Sequence, residues 1–150
     1  MPRVVQRAII HRPPDEVFAF VADAENNPKW HAHVHETHWL DAQETGPGRR
    51  GRQTGRLFWR EWAFVAEVAD WDPPNLVSFQ VIEGYRVKTT IRVEPADVGS
   101  LVTLTVDTPP LLGPRIDPLF SWILQRMTAR RGRGDIARLE AALAAEARNT

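Results

Sequence analysis

The chain has 150 residues, 43% of them hydrophobic and 25% charged, a composition that suits one globular domain over residues 1–150. Nineteen basic and nineteen acidic residues give a net charge of zero, which argues against a protein built to bind DNA or another polyanion. The absence of cysteine excludes disulfides, thiolate nucleophiles and zinc-thiolate sites. No apolar run suits a signal peptide or stable membrane insertion, so we expect a cytoplasmic protein.

The first forty residues predict a strand, two short helices and a second strand. Val4–Ile10 is β-branched and apolar enough for the first strand. Pro14 suits the first turn of a helix, where its missing N–H is not needed, and this helix ends near Asp23. A second short helix or turn carries Trp30, and Val34–Leu40 is the second predicted strand.

Five further strands are predicted before residue 108, each bounded by turn-forming residues. They cover Arg52–Trp59, Trp62–Trp71, a segment centred on Val77–Val81, Tyr85–Glu94 and Leu101–Asp107. Period-two alternation places Trp62, Phe64 and Phe79 on inner faces, and the alternation is cleanest in Tyr85–Glu94. One face of the predicted sheet is therefore apolar and needs a partner.

The last third of the chain, Ile116 to about Arg148, is predicted to form one long amphipathic helix. Its apolar residues recur at steps of three and four: Ile116, Leu119, Phe120, Ile123, Leu124 and Met127. Gly132 and Gly134 each cost about 1 kcal/mol relative to alanine in a helix, and whether they break it is left open. The simplest architecture is an α+β fold in which a curved antiparallel seven-stranded sheet wraps around this helix.

Four segments of the chain carry a resemblance to a known family. They are residues 14–23 followed by Asn27-Pro28-Lys29-Trp30, the loop Gly46-Pro47-Gly48 with Gly51, the turn Val68–Pro74 with Leu76, and Asp135–Glu146. Together they resemble the START-like (SRPBCC) superfamily, in particular its polyketide cyclase/dehydrase-like proteins. The resemblance implies the helix-grip fold, with a cavity between the concave face of the sheet and the long helix that holds an apolar or aromatic small molecule without a cofactor.

The candidate ligand-binding residues are the aromatic and aliphatic side chains expected around that space. They are Trp30, Leu57, Trp59, Trp62, Phe64, Phe79, Tyr85, Val87, Thr89, Leu104, Phe120, Ile123 and Met127. So much aromatic surface can either fill the space as a solid core or line an open pocket, and the residues alone do not distinguish the two. The leading hypothesis is binding of a hydrophobic molecule such as a lipid, a polyketide or a quinone-like compound.

Catalysis on such a ligand is the alternative. Cyclisation or dehydration of a polyketide needs an acid or base near the substrate and a donor that stabilises an enolate. The candidate catalytic residues are Tyr85, Arg60 and His31. The competing interpretation of Tyr85 is that its hydroxyl faces water at the mouth of the pocket.

Histidine and arginine clusters raise two further possibilities. His31, His33, His35 and His38 lie close in sequence, and on a strand the first three would share a face. Side chains at i and i+2 are roughly 7 Å apart on a strand, too far to share one metal ion, so no metal site is predicted. The arginines at 49, 50, 52, 130, 131 and 133 could contact a ribosome or RNA, a second alternative that the neutral net charge disfavours. A homodimer is left open.

Overall fold

The computed structural model describes residues 3–31, 34–42, 46–57, 59–84, 86–108, 134 and 136–146, without the side chains of Leu57 and Arg60. The strands are β1 (Arg3–Ile10), β2 (Val34–Trp39), β3 (Arg50–Leu57), β4 (Arg60–Asp72), β5 (Leu76–Glu83), β6 (Lys88–Pro95) and β7 (Ser100–Asp107). They form one antiparallel sheet in the order β1-β7-β6-β5-β4-β3-β2. Helix α1 (Pro14–Ala22), a 3-10 turn (Ala24–Asn26) and helix α2 (Asn27–Trp30) connect β1 with β2. The fold is α+β and of the helix-grip type, as predicted.

Helix α1 begins and ends where its sequence allows. Pro14 occupies the first turn, and Asp15 and Glu16 follow it near the positive end of the helix dipole. The helix ends before Asp23, whose carboxylate accepts a hydrogen bond of 3.1 Å from the backbone N–H of Glu25 and so caps the 3-10 turn. The residues that resemble the family's opening segment therefore have a local structural role.

One end of the concave face is filled by apolar side chains, and we call it the packed half. Its strand residues are Ile10, Val68, Val77, Val93 and Val102; those of α1 are Val17 and Val21; Leu139 and Leu143 belong to the helical residues 136–146. None of these side chains is more than 2% exposed. Two surface contacts hold residues 136–146 in place, His11 Nδ1 to Glu140 Oε1 at 2.8 Å and Lys29 Nζ to Glu146 Oε1 at 2.9 Å.

Two of the strand boundaries that differ from the predictions affect residues expected in the site. The β3–β4 hairpin closes at the pair Leu57–Arg60, so Trp59 lies in the turn and is 85% exposed instead of ending an inward-facing strand. Strand β6 begins at Lys88, because Gly84 with φ +112° starts a longer connection than the alternation suggested. Turn geometry, which hydrophobic alternation does not report, decides both boundaries.

The predicted long helix is described only in its last part, where residues 134 and 136–146 are helical. The stripe from Ile116 to Met127 lies outside the described residues, and so does Gly132. Among the helices that the structure describes, none has the length and apolar character needed to cross a membrane.

Candidate functional site

The other end of the concave face encloses a cavity of about 340 Å³, and we call it the cavity half. All seven strands contribute to its wall. The apolar side chains of its described lining are Val4, Ala24, Val34, Trp39, Trp62, Phe64, Ala66, Phe79, Val81, Val87, Ile91, Leu104 and Val106. A volume of this size falls at the lower end of the range typical of small-molecule sites.

The register of the sheet explains why residues far apart in sequence meet in this wall. Phe79 pairs with Thr89, Thr89 pairs with Val106, and Val106 pairs with Val4. Directly paired residues in neighbouring strands point to the same face, so these four side chains cross β5, β6, β7 and β1 on the cavity side.

Three aromatic side chains form the wall near β2 and β4. Trp62 and Phe64 are two residues apart on β4 and stack with ring centroids 4.9 Å apart and an interplanar angle of 5°. Trp39 donates its indole N–H to Asp23 Oδ1 at 2.9 Å, and the guanidinium carbon of Arg49 lies 4.0 Å from the centroid of its ring. Trp39 is therefore held in position before any ligand arrives.

A polar corner interrupts the apolar wall, and it consists of Asn27, Thr37 and Gln53. Gln53 Oε1 accepts a hydrogen bond of 2.8 Å from Asn27 Nδ2 and another of 3.1 Å from Thr37 Oγ1. The three residues come from α2, β2 and β3, and all of them line the cavity. His31 also lines it, with its ring centroid 3.6 Å from that of Trp30.

Glycine makes room beside the polar corner. The inward positions of β3 alternate through Gly51, Gln53 and Gly55, so Gln53 stands between two residues without side chains. The atoms nearest to a Cβ on Gly51 would belong to the Trp39 ring and the His38 carbonyl, at ordinary contact distances from 3.5 Å. The cavity therefore reaches the backbone of β3 at Gly51, beside Gln53.

The structure brings together seven of the side chains predicted for the site. Those that line the cavity are Trp62, Phe64, Phe79, Val87, Thr89, Leu104 and His31. Trp30 is 2% exposed within the apolar core and does not form part of the described cavity wall, and Trp59 is exposed in the β3–β4 turn. The side chains of Leu57 and Arg60, and all of Tyr85, Phe120, Ile123 and Met127, lie outside the described residues.

The sequence-based site omitted Thr37 and Trp39 because of one irregularity in β2. The register between β2 and β3 shifts between Val34 and Glu36. Strict alternation from Val34 would point Glu36 and His38 inward, but the shift places Thr37 and Trp39 on the cavity side instead.

The predicted histidine cluster does not share one face. His31 ends α2 and lines the cavity, whereas His35 and His38 are exposed on β2, and His33 lies outside the described residues. Strand alternation does not apply to His31, because it precedes β2.

Two arginines of the cluster at residues 49–52, Arg49 and Arg50, contact other side chains of the protein. Arg50 donates hydrogen bonds to both carboxylate oxygens of Asp41, from its side chain at 3.2 Å and from its backbone N–H at 2.8 Å. These hydrogen bonds from Arg50 lower the pKa of Asp41. Arg49 packs over Trp39, and the arginines at 130, 131 and 133 lie outside the described residues.

Comparison with known proteins agrees with this geometry. The family model described as polyketide cyclase/dehydrase and lipid transport matches residues 1–148. The chain belongs to this family. No curated protein matches its sequence significantly.

Several solved structures share the fold of this family member. TTHA0849 from Thermus thermophilus superposes with a TM-score of 0.80 at 24% identity, over 97% of this chain and 99% of that one. The Zhui aromatase/cyclase from Streptomyces sp. R1128 has a TM-score of 0.75 at 15% identity, over 94% and 92% of the two chains. The di-domain aromatase/cyclase StfQ of the steffimycin biosynthetic pathway has a TM-score of 0.76 at 10% identity, over 97% of this chain and 51% of that one.

Proposed function

We propose that this protein binds a hydrophobic or aromatic small molecule in the cavity half. The observation that carries the proposal is the 340 Å³ cavity with a mostly apolar wall and one polar corner. Ligand sites commonly combine a large apolar surface with a few well-placed polar groups. Each Å² of apolar ligand surface removed from water contributes about 25 cal/mol, so an apolar wall can supply most of the binding free energy.

The cavity is built from side chains that cannot easily move inward to close it. Trp39 is held by Asp23 and Arg49, Trp62 and Phe64 stack on each other, and the inner face of β3 carries glycines. A wall held in its open form reduces the entropy lost when a ligand binds. The lipid transport function in the family's description is consistent with such a site.

The test is to fill the cavity and to make the same change outside it. Ala66 lines the cavity from β4, while Ala63 is exposed on the same strand and points to the opposite face. Ala66→Phe should abolish binding, and Ala63→Phe should leave it unchanged. Binding by the wild type and by each variant is measured by native mass spectrometry of freshly purified protein. Equilibrium dialysis against aromatic polyketides, quinones, sterols and fatty acids then follows. Val81→Phe is a second filling variant if Ala66→Phe fails to fold.

Two outcomes would contradict the proposal. One is a wild-type protein that carries no adduct and binds no member of the panel. The other is a folded Ala66→Phe variant that binds as tightly as the wild type, because a ligand outside the cavity would not sense the added ring.

A second candidate function is cyclisation or dehydration of the bound molecule, favoured by the imidazole of His31 in the cavity wall. A histidine beside a bound polyketide can act as general acid or base. Aromatase/cyclase neighbours make this the natural reaction to test. The assay incubates the protein with a linear polyketone and detects the product by mass spectrometry. If His31→Gln retains binding but forms no product, the result supports catalysis by His31. Tyr85→Phe tests the predicted donor in the same assay. Equal turnover in wild type, both variants and buffer would exclude it.

A further inference from the structure

The polar corner adjoins the aromatic pair of β4. In the sheet Thr37 pairs with Gln53, and Gln53 pairs with Phe64, whose ring stacks on Trp62. An amide, a hydroxyl and an aromatic surface are thus neighbours on one line across β2, β3 and β4. A planar ligand that lies against the two rings would bring one end close to Gln53.

The hydrogen bonds at the polar corner leave one group of Gln53 available. Its Oε1 accepts from both Asn27 Nδ2 and Thr37 Oγ1, which uses the two acceptor positions of a carbonyl oxygen. The Nε2 amino group is therefore the part that can still form hydrogen bonds, and no residue in the described parts of the chain accepts one from it. Gln53 is half-buried and lines the cavity, so this N–H donor is available to an acceptor on a ligand inside it.

We propose that Gln53 Nε2 donates a hydrogen bond to a neutral carbonyl oxygen of the ligand, of the ketone or quinone type, while the ligand's ring packs against Trp62 and Phe64. This inference rests on the proposed binding function and names the chemical class of the ligand. The polar side chains of the described lining are amides, hydroxyls, an imidazole and indoles, which suit a neutral oxygen. Charged carboxylate ligands are bound most strongly by arginine or lysine.

Asn27 and Thr37 act as positioning residues for this donor. Thr37 is 5% exposed and lies directly opposite Gln53, and Asn27 approaches the same oxygen from helix α2. Two hydrogen bonds from different elements fix the plane of the Gln53 amide. Gly51, the next inward position on β3, carries no side chain and so leaves space beside the donor for a ligand.

The experiment uses two probes that differ in one atom group. Methyl naphthyl ketone carries the carbonyl, and isopropenylnaphthalene replaces its oxygen with a methylene group of similar shape. Equilibrium dialysis with chromatographic detection measures both dissociation constants. The wild-type protein should bind the ketone about threefold to tenfold more tightly than the hydrocarbon, the range expected for one net hydrogen bond.

The chain offers a matched control for the glutamine. Gln53→Met should remove the preference for the ketone, with hydrocarbon affinity changed by less than about twofold. Gln6 lines the same cavity from β1, at the other edge of the sheet, so Gln6→Met should keep the preference. If Gln53→Met does not fold, Gln53→Glu at about pH 8 keeps both incoming hydrogen bonds and replaces the donor with an ionised acceptor, which should make the ketone the weaker ligand.

The outcomes separate this inference from the proposed function. If both probes bind the wild type equally and a folded Gln53 variant changes neither, the carbonyl site is wrong while the binding function stands. If neither probe binds and the ligand panel also fails, the proposed function itself is wrong. Equal loss of the preference for the ketone in Gln53→Met and Gln6→Met would also overturn the assignment of Gln53 as the donor. It would mean that the preference depends on the polarity of the cavity as a whole and not on one amide.

Discussion

The packed half and the cavity half are built from the same strands but face different surroundings. Strand β4 passes through both, with Val68 1% exposed in the packed half and Trp62 and Phe64 in the cavity wall. In the packed half the inward side chains meet α1 and residues 136–146, and little space remains. In the cavity half Gly51 and Ala66 contribute little volume, and a cavity of about 340 Å³ results. Side-chain volume and the element opposite each strand therefore separate a region for stability from a region for binding.

The largest expected difference in stability between the two halves comes from a Leu→Ala substitution made once in each half. Leu139 is 0% exposed among core side chains, so Leu139→Ala should lower the free energy of unfolding by about 3–5 kcal/mol, since it creates a new void. Leu104 is 5% exposed but already borders the cavity, and Leu104→Ala should cost about 2 kcal/mol. Urea unfolding of both variants measures the difference. Equal losses would mean that the two halves are packed alike.

A glycine from each half gives the next largest contrast. Gly99 precedes β7 in the packed half with φ +85°, and a Cβ there would collide with the backbone carbonyl oxygen of Ile10. Gly99→Ala should therefore destabilise the protein by about 1–3 kcal/mol. Gly51→Ala, in the cavity wall, should change stability by less than about 1 kcal/mol because its Cβ has room. Thermal unfolding compares the two, and a costly Gly51→Ala would show that the cavity wall does not tolerate added volume.

The smallest effect concerns pH and Asp70 on β4, where the register between β4 and β5 shifts between Val68 and Trp71. Ser78 Oγ donates to Asp70 Oδ2 at 2.6 Å, Lys88 Nζ lies 2.9 Å from the same oxygen, and these hydrogen bonds lower the pKa of Asp70. A lowered pKa in the folded state stabilises the protein above the unfolded pKa of about 3.9, and this stabilisation is lost as the pH falls through the folded value. The effect is small because Asp70 is half exposed and its charge is screened by solvent.

Asp70→Asn should therefore reduce the loss of stability between neutral pH and about pH 3, measured by urea unfolding at both pH values. Asp97→Asn, at an exposed position between β6 and β7, is the control with the same change of charge. An identical pH dependence in wild type and Asp70→Asn would show that the contacts of Asp70 contribute nothing.

Much of the fold follows from local signals in the sequence. Pro14 marks the start of α1, and alternation marks the inner residues of β5, β6 and β7, including Val77, Ile91 and Val102. The site was only partly predictable. Trp62, Phe64 and Phe79 were identified because side chains alternate between the two faces along their parts of β4 and β5, whereas Thr37 and Trp39 were missed because the register shift in β2 reverses theirs.

The residues alone predict the family, through four segments that resemble it, and they predict the α+β class and the apolar inner face through periodicity and local turn chemistry. The tertiary structure alone reveals that one half of that face is filled and the other is open, because this depends on which elements meet across the fold. It also reveals that Asn27, Thr37 and Gln53 meet at one oxygen. Hydrogen bonds between a helix and two strands, with the register that aligns them, are long-range properties that no local pattern records.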